Sequence, residues 1–265
     1  DILSRHVDLA EIDQTFSEPL KPEIARLYVK KVHHNPAFLF TALLGRTFTY
    51  DRILDDSAIT AWKAGFEPLL RTRRLGAVVM QFPWAFRFTE ENRQFLIRLR
   101  RAFHEFPLAA EMRHESWLRD EAVTTLVNYH IGFINVDQPE YFRAMPPAAL
   151  LTSGVALVRL HGRHNPDAFR EFDSPADRRY MYDLDELLEW KPRLERLAGF
   201  ASRTLVTTTN AVEGRAMVNA LQLREICGGV SLEAPTSLLS LYPAELAAFR
   251  ARRPVQAMLL PARAA

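Results

Sequence analysis

Short apolar runs that end in charged or hydrogen-bonding residues recur along the chain: VDLAEID (7–13), GAVVMQF (76–82), PLAAEMRH (107–114), IGFINVD (131–137) and VALVRLHG (155–162). Each has the length of a strand. The full set of predicted strands is 7–12, 38–43, 76–82, 108–112, 131–136, 155–160 and 203–208. Between them the apolar spacing changes to the 3.6-residue period of helices. PEIARLYVKKV (22–32) begins with proline, a favoured first-turn residue. The stretch 56–75 puts Ile59, Trp62, Phe66 and Leu69 on one side, and the helix opening at Thr89 carries Phe95, Leu96 and Leu99. Helices over 119–130, 182–200 and 212–226 complete the alternation, and a last helix (243–252) lies in the C-terminal tail, 230–265. Residues 163–181 are the longest irregular stretch.

Strands separated by helices require right-handed parallel crossovers. The pattern therefore predicts an α/β protein, a TIM (β/α)₈-type barrel with seven strands identifiable, in a single domain over residues 1–265. A Rossmann sheet would carry a glycine fingerprint after its first strand, and none is present. P-loop, G-x-S-x-G and H-E-x-x-H motifs are absent too.

Composition changes this picture little. Net charge is +2, too mild to imply a nucleic-acid partner. The basic clusters RTRR (71–74) and RLRR (98–101) read as solvated helix faces. Cys227 is the only cysteine, which excludes an internal disulfide and a cysteine-based zinc site; it reads as a packing residue. No apolar run approaches the roughly 18 residues of a membrane span, and the start as given has no signal peptide. The expectation is a cytoplasmic protein with no membrane partner.

Alternation along strands suggests the chemistry. Glu11 and Asp13 share a face, as do Glu111 and Arg113, Asn135 and Asp137, and Arg159 and His161. In a barrel the C-terminal strand ends form the catalytic face. With all four pairs pointing inward, a lower layer would hold Glu11, Glu111, Asn135 and Arg159. An upper layer would hold Asp13, Arg113, Asp137 and His161, with Gln81 nearby. A buried arginine needs a carboxylate, so Glu111–Arg159 is equally readable as scaffold. The upper layer offers a base, a group titrating near neutral pH and a fixed anion binder, or else an anchor for loops. His33 and His34 read as helix-end residues, and His104, His130 and His164 as surface. Trp117 either walls a pocket or packs the next helix. Asn210 sits where the last βα loop often binds phosphate, or caps the helix that follows.

EIDQTF (11–16), QFPWAF (81–86), EMRHESW (111–117), VRLHGR (158–163) and TNAVEGRAMVNALQL (209–223) resemble, in order, the motifs of the YecE-like family, catalogued as domain of unknown function seventy-two. The resemblance runs from about 7 to 228. It implies a TIM barrel and a bacterial or archaeal cytosolic protein, and no established reaction. Family members usually open with a strand bearing a G-T-S-G-W-like motif, which this chain lacks. Their third strand typically carries a lysine followed by a Thr-His pair, and their last strand ends Asn-Asn-His. Here those positions read Leu43, Thr49-Tyr50 and Thr209-Asn210-Ala211.

Three functions compete. The first is an enzyme acting on a phosphorylated or otherwise anionic substrate by hydrolase- or isomerase-like acid/base chemistry. Glu11, Glu111, Asp137 and His161 would be its catalytic groups; Gln81, Arg113, His114, Trp117, Arg159 and Asn210 would bind substrate. A nucleic-acid phosphodiesterase is a sub-case. The second is a non-catalytic binder of an anionic metabolite, and the third an interaction scaffold. Several histidine or carboxylate groups converging would signal a metal, but neighbouring arginines favour an anion held without one. The sequence names neither metal nor cofactor.

Overall fold

The computed structural model describes residues 3–163, 179–228 and 233–251. Seven parallel strands follow one another in space as in sequence: β1 (Leu9–Ile12), β2 (Leu39–Leu43), β3 (Leu75–Gln81), β4 (Leu108–Glu111), β5 (Gly132–Asp137), β6 (Val155–Leu160) and β7 (Arg203–Thr208). The sheet curls into a nearly closed barrel with helices between the strands, as the alternating pattern predicts. β2, β4 and β5 are buried at every position, the mark of strands covered on both faces. Among the described residues no backbone ladder joins β7 to β1, so these two strands form the edges of the sheet.

Local chemistry sets the helix boundaries. α1 (Pro22–Lys31) starts on its proline, and the short α2 (Arg46–Thr49) follows β2. Asp55 caps α3 (Asp56–Arg71) by accepting from the Ala58 N–H at 2.9 Å. Thr89 does the same for α4 (Glu90–Ala102), whose first turn is acidic and last turn basic, both favourable to the helix dipole. After α5 (Asp120–Asn128), the predicted helix over 182–200 divides into α6 (Leu184–Leu188) and α7 (Lys191–Ala198). Pro192 explains the break, because it sits in the first turn of α7, where a missing N–H costs nothing.

α8 (Arg215–Ile226) follows a 3-10 turn over Val212–Gly214. The helix expected at 243–252 is not formed over the described part of that span: the tail's helix is α9 (Thr236–Leu241), residues 243–248 are turns, and Arg250–Ala251 bridges Glu233–Ala234. Tyr242, Leu246 and Phe249 instead pack from these turns onto Val218 and Leu221 of α8. Residues 164–178 of the irregular stretch, His164 among them, lie outside the described residues.

The main core fills the space inside β1–β5 and beneath α1, α3, α4 and α5. A second cluster joins Ala156, Val158 and Leu160 of β6 to Leu187, Trp190 and Leu194. That packing fixes the phase of β6: the alternate residues Leu157, Arg159 and His161 must face the barrel interior. Of the basic clusters, Arg74 is no solvated residue, for it donates to the carbonyls of Asn35, Pro36 and Phe38. Cys227, expected to pack, is exposed at the end of α8.

Candidate functional site

Register decides which polar residues meet. Gln81 pairs with Glu111, and Arg159 pairs with Val136 on one side and Thr207 on the other. Paired residues of a parallel sheet point to the same face, so Gln81, Glu111, Arg159 and Thr207 all turn inward. Glu11 joins them from β1. Glu111, fully buried, is the hub. One carboxylate oxygen takes Arg113 at 2.5 Å; the other takes Arg159 and the His161 Nε2, the latter at 3.2 Å. Arg159 also donates to Glu11 at 2.6 Å and to Gln81 at 3.0 Å. Arg113, 2% exposed, reaches Gln138 at 2.9 Å. Two carboxylates and two guanidiniums thus neutralise one another at the floor of a cleft.

The electrostatics follow. Burial alone would raise the Glu111 carboxyl, but Arg113, Arg159 and His161 outweigh it and hold the group well below the usual range. Burial, with Arg113 and Arg159 adding to it, pushes the His161 imidazole down to about 4 against the pull of Glu111. An ionised Glu111 only accepts, so His161 carries its proton on Nε2. Its Nδ1 then accepts from the Thr209 hydroxyl at 3.1 Å.

These shifts predict a pH dependence. The folded pKa of His161 lies below its ordinary 6.5, so the stability that a neutral ring provides is complete above pH 6.5 and is lost as pH falls toward 4. The loss should reach roughly 3 kcal/mol. Urea midpoints of the wild type and His161→Gln between pH 7 and 4 check it, with a flatter profile for the variant. Glu111, also depressed, begins to add its own loss as pH falls through the ordinary carboxylate value near 4.5 and goes on adding it at lower pH.

Three expected members stand elsewhere. Asn135 and Asp137 pair in phase with Val158 and Leu160, on the helix-facing side of the sheet. Asn135 ties down the loop before β6 through Leu150, donating at 3.0 Å and accepting at 2.8 Å. Asp137 accepts from the Trp190 indole at 2.6 Å, the Tyr182 hydroxyl at 3.0 Å and the Arg163 guanidinium at 2.8 Å. Both anchor loops and lie outside the inward layer. Asp13 lines the cleft but is exposed.

Of the remaining candidates, Trp117 is fully buried, stacks on Phe86 and donates to its carbonyl at 2.7 Å: it packs and does not wall the cleft. His114 is buried behind Trp84, its Nδ1 accepting from the Ser116 N–H at 3.0 Å. Asn210 donates to the Tyr180 carbonyl and to Asn219, both at 2.8 Å, so it braces the start of α8. Gly162 at φ +94° brings its backbone against Tyr180, where a Cβ would lie 2.6 Å from that side chain.

Sequence reasoning missed Gln138, Tyr50 and Arg46. Gln138 lies one residue past β5, in phase with Val136, and alternation carried one step further finds it. Tyr50 meets Gln81 at 3.4 Å, and Arg46, 57% exposed, lies over the Tyr50 ring at the cleft mouth. Among the described residues no three His, Cys, Asp or Glu side chains converge in a metal-binding group. No helix among them is long and apolar enough to cross a membrane.

An α/β barrel with a buried charged cluster at the C-terminal strand ends is the class that fold and site define. The chain belongs to the family described as protein of unknown function DUF72, which matches residues 1–238 and is the YecE-like family its motifs resemble. It is 25% identical over 240 residues to the UPF0759 protein YunF of Bacillus subtilis (strain 168), covering 84% of each chain. Among solved structures, a DUF72 family protein of Thermotoga maritima MSB8 is similar with a TM-score of 0.71 and 28% identity, over 83% of this chain and 84% of that one. One from Enterococcus faecalis V583 has a TM-score of 0.75 at 23% identity, over 85% and 91%, a likeness of fold.

Proposed function

We propose that this protein is an enzyme acting on a phosphorylated or otherwise anionic substrate at the C-terminal face of the barrel. The observation that carries the reading is a neutral imidazole set beside two buried, fixed guanidiniums at the floor of an open cleft. Arg113 and Arg159, held by Glu111, would orient an anionic group, and Arg46 offers a further guanidinium at the mouth. Gln81 and Tyr50 would hydrogen-bond the substrate. The Glu111–His161 pair is the place where a proton would move, with Glu11 balancing the fixed charge of Arg159. A single cysteine suits such an enzyme in a reducing cytosol.

One observation favours the second reading, a non-catalytic binder: Glu11 and Glu111 are both engaged by guanidiniums, so neither is a poised base. A nucleic-acid phosphodiesterase is less well supported. Arg52 and Arg143, which do not line the cleft, each lie within 3.8 Å of an acidic neighbour and add little to a basic rim.

A thermal-shift screen against inorganic phosphate, sugar phosphates, a single-stranded oligonucleotide and divalent metals tests this. A ligand at a hundred times its Kd should add about 2.7 kcal/mol of stability. The expected result is a shift with a phosphorylated compound, weakened by Arg46→Ala, and turnover abolished by His161→Gln. Binding without turnover would establish the second reading. No shift with any phosphorylated compound would sink both.

A further inference from the structure

One side of the cleft mouth presents rings and a guanidinium face, more than hydrogen bonds to a phosphate require. Phe16 and Tyr50 meet edge to face there, with ring centroids 5.4 Å apart. The Arg46 guanidinium lies over the Tyr50 ring, 5.3 Å from its centroid. Asp51 stands 3.8 Å from the Arg46 Nε, beyond hydrogen-bond range, and the side chain is 57% exposed. The outer face of this cation is therefore open to the cleft.

The surface is held from behind. Phe16 ends the 3-10 turn Gln14–Phe16 that follows β1, while Arg46 opens α2 and Tyr50 comes just after it. Trp62 of α3 ties the two segments together. Its indole donates to the Thr15 carbonyl at 3.0 Å, and its ring meets the buried Phe48 of α2 edge-on at 5.3 Å. Gly45, just ahead of α2, makes room for that indole, since a Cβ there would lie 2.5 Å from it. Rings fixed in this way have little freedom left to lose when a ligand stacks on them.

We infer that this surface stacks a nucleobase and that the substrate class is the nucleoside phosphates, an inference that rests on the proposed anionic substrate. The first reason is the cation. Bases stack on arginine planes as they do on aromatic rings, whereas a saturated sugar ring has neither the plane nor the π electrons to exploit a guanidinium. The second is reach. One side chain spans from the surface to the floor: the Gln81 amide donates to the Tyr50 hydroxyl at 3.4 Å and accepts from Arg159 at 3.0 Å. A nucleotide has the same build, with one sugar between ring and phosphate. The third is the turn that carries Phe16, where Asp13 and Gln14 also line the cleft and supply an acceptor and an amide for ribose hydroxyls. Among the described residues that line the cleft, Phe16 and Tyr50 are the only Phe, Tyr or Trp. One base is therefore supported, and the next base of a strand would not be.

Isothermal titration calorimetry of the whole protein with adenosine monophosphate, uridine monophosphate and ribose phosphate separates base from phosphate. At least one nucleotide should bind about tenfold tighter than ribose phosphate, the gain that stacking one base implies. Tyr50→Leu and Arg46→Met, each checked for folding by its melting curve, should lower that ratio several-fold. Tyr50→Phe keeps the ring and should keep the ratio. Equal affinity for all three compounds would overturn the inference and leave the anionic substrate standing. A preference that survives both Tyr50→Leu and Arg46→Met would overturn it by placing the base elsewhere. Binding of none of the three would overturn it too, and the anionic reading with it if inorganic phosphate is equally silent.

Discussion

Glu111→Gln should destabilise the fold by about 3–5 kcal/mol, the usual cost of removing one partner from a buried ion cluster. The substitution keeps size and shape, removes the charge and turns one of the two accepting oxygens into a donor. Arg113, 2% exposed, would then lose its ion pair with Glu111. Arg159 would retain Glu11 as its carboxylate, with the Gln81 amide beside it. Urea unfolding at pH 7 measures the effect. Arg113→Met added to Glu111→Gln should recover part of the loss, since the buried cation that Glu111 pairs with is then gone. A single variant within 1 kcal/mol of wild type would show that the cluster is solvated enough to do without its hub.

Asp137→Asn should cost about 3 kcal/mol for a different reason. All its described side-chain partners are donors: the Trp190 indole, the Tyr182 hydroxyl and the Arg163 guanidinium. An amide places an NH₂ where a second acceptor is required, so at least one donor is stranded in a buried site. Tyr182 also accepts from the Gly162 N–H at 2.7 Å, so the disturbance should pass to the loop that follows His161. Urea midpoints give the energy, and Trp190 fluorescence should shift in the folded variant. An unchanged midpoint with unchanged emission would mean that the network re-forms around the amide.

Much of this was legible from the chain. The seven strands were visible because each is short, apolar and bounded by helical periodicity. Glu11, Gln81, Glu111, Arg113, Arg159 and His161 were found because they end such runs. The phase of β5 was not legible. Its six residues are all buried, so its hydropathy does not alternate, and nothing in IGFINVD tells inward from outward. The side of Asn135 and Asp137 is set by pairing with β4 and β6, which is information held by other strands. Arg46 lies on a short helix after β2, away from any strand end, and Tyr50, one residue past that helix, stood out only as the residue at a family Thr-His position. The roles of Trp117, His114 and Asn210 turned on packing partners that are distant in sequence, such as Phe86, Trp84 and Tyr180.

The contact between Arg159 and Glu11 joins residues 148 apart in sequence. Closing so long a loop is entropically costly, and non-local parallel pairings form late when a chain folds. The core beneath β1–β5 draws on neighbouring segments and can form before that closure. The charged floor cannot, since it needs β1, β4 and β6 in place together. During synthesis or refolding the interior should therefore form before the charged floor of the cleft does.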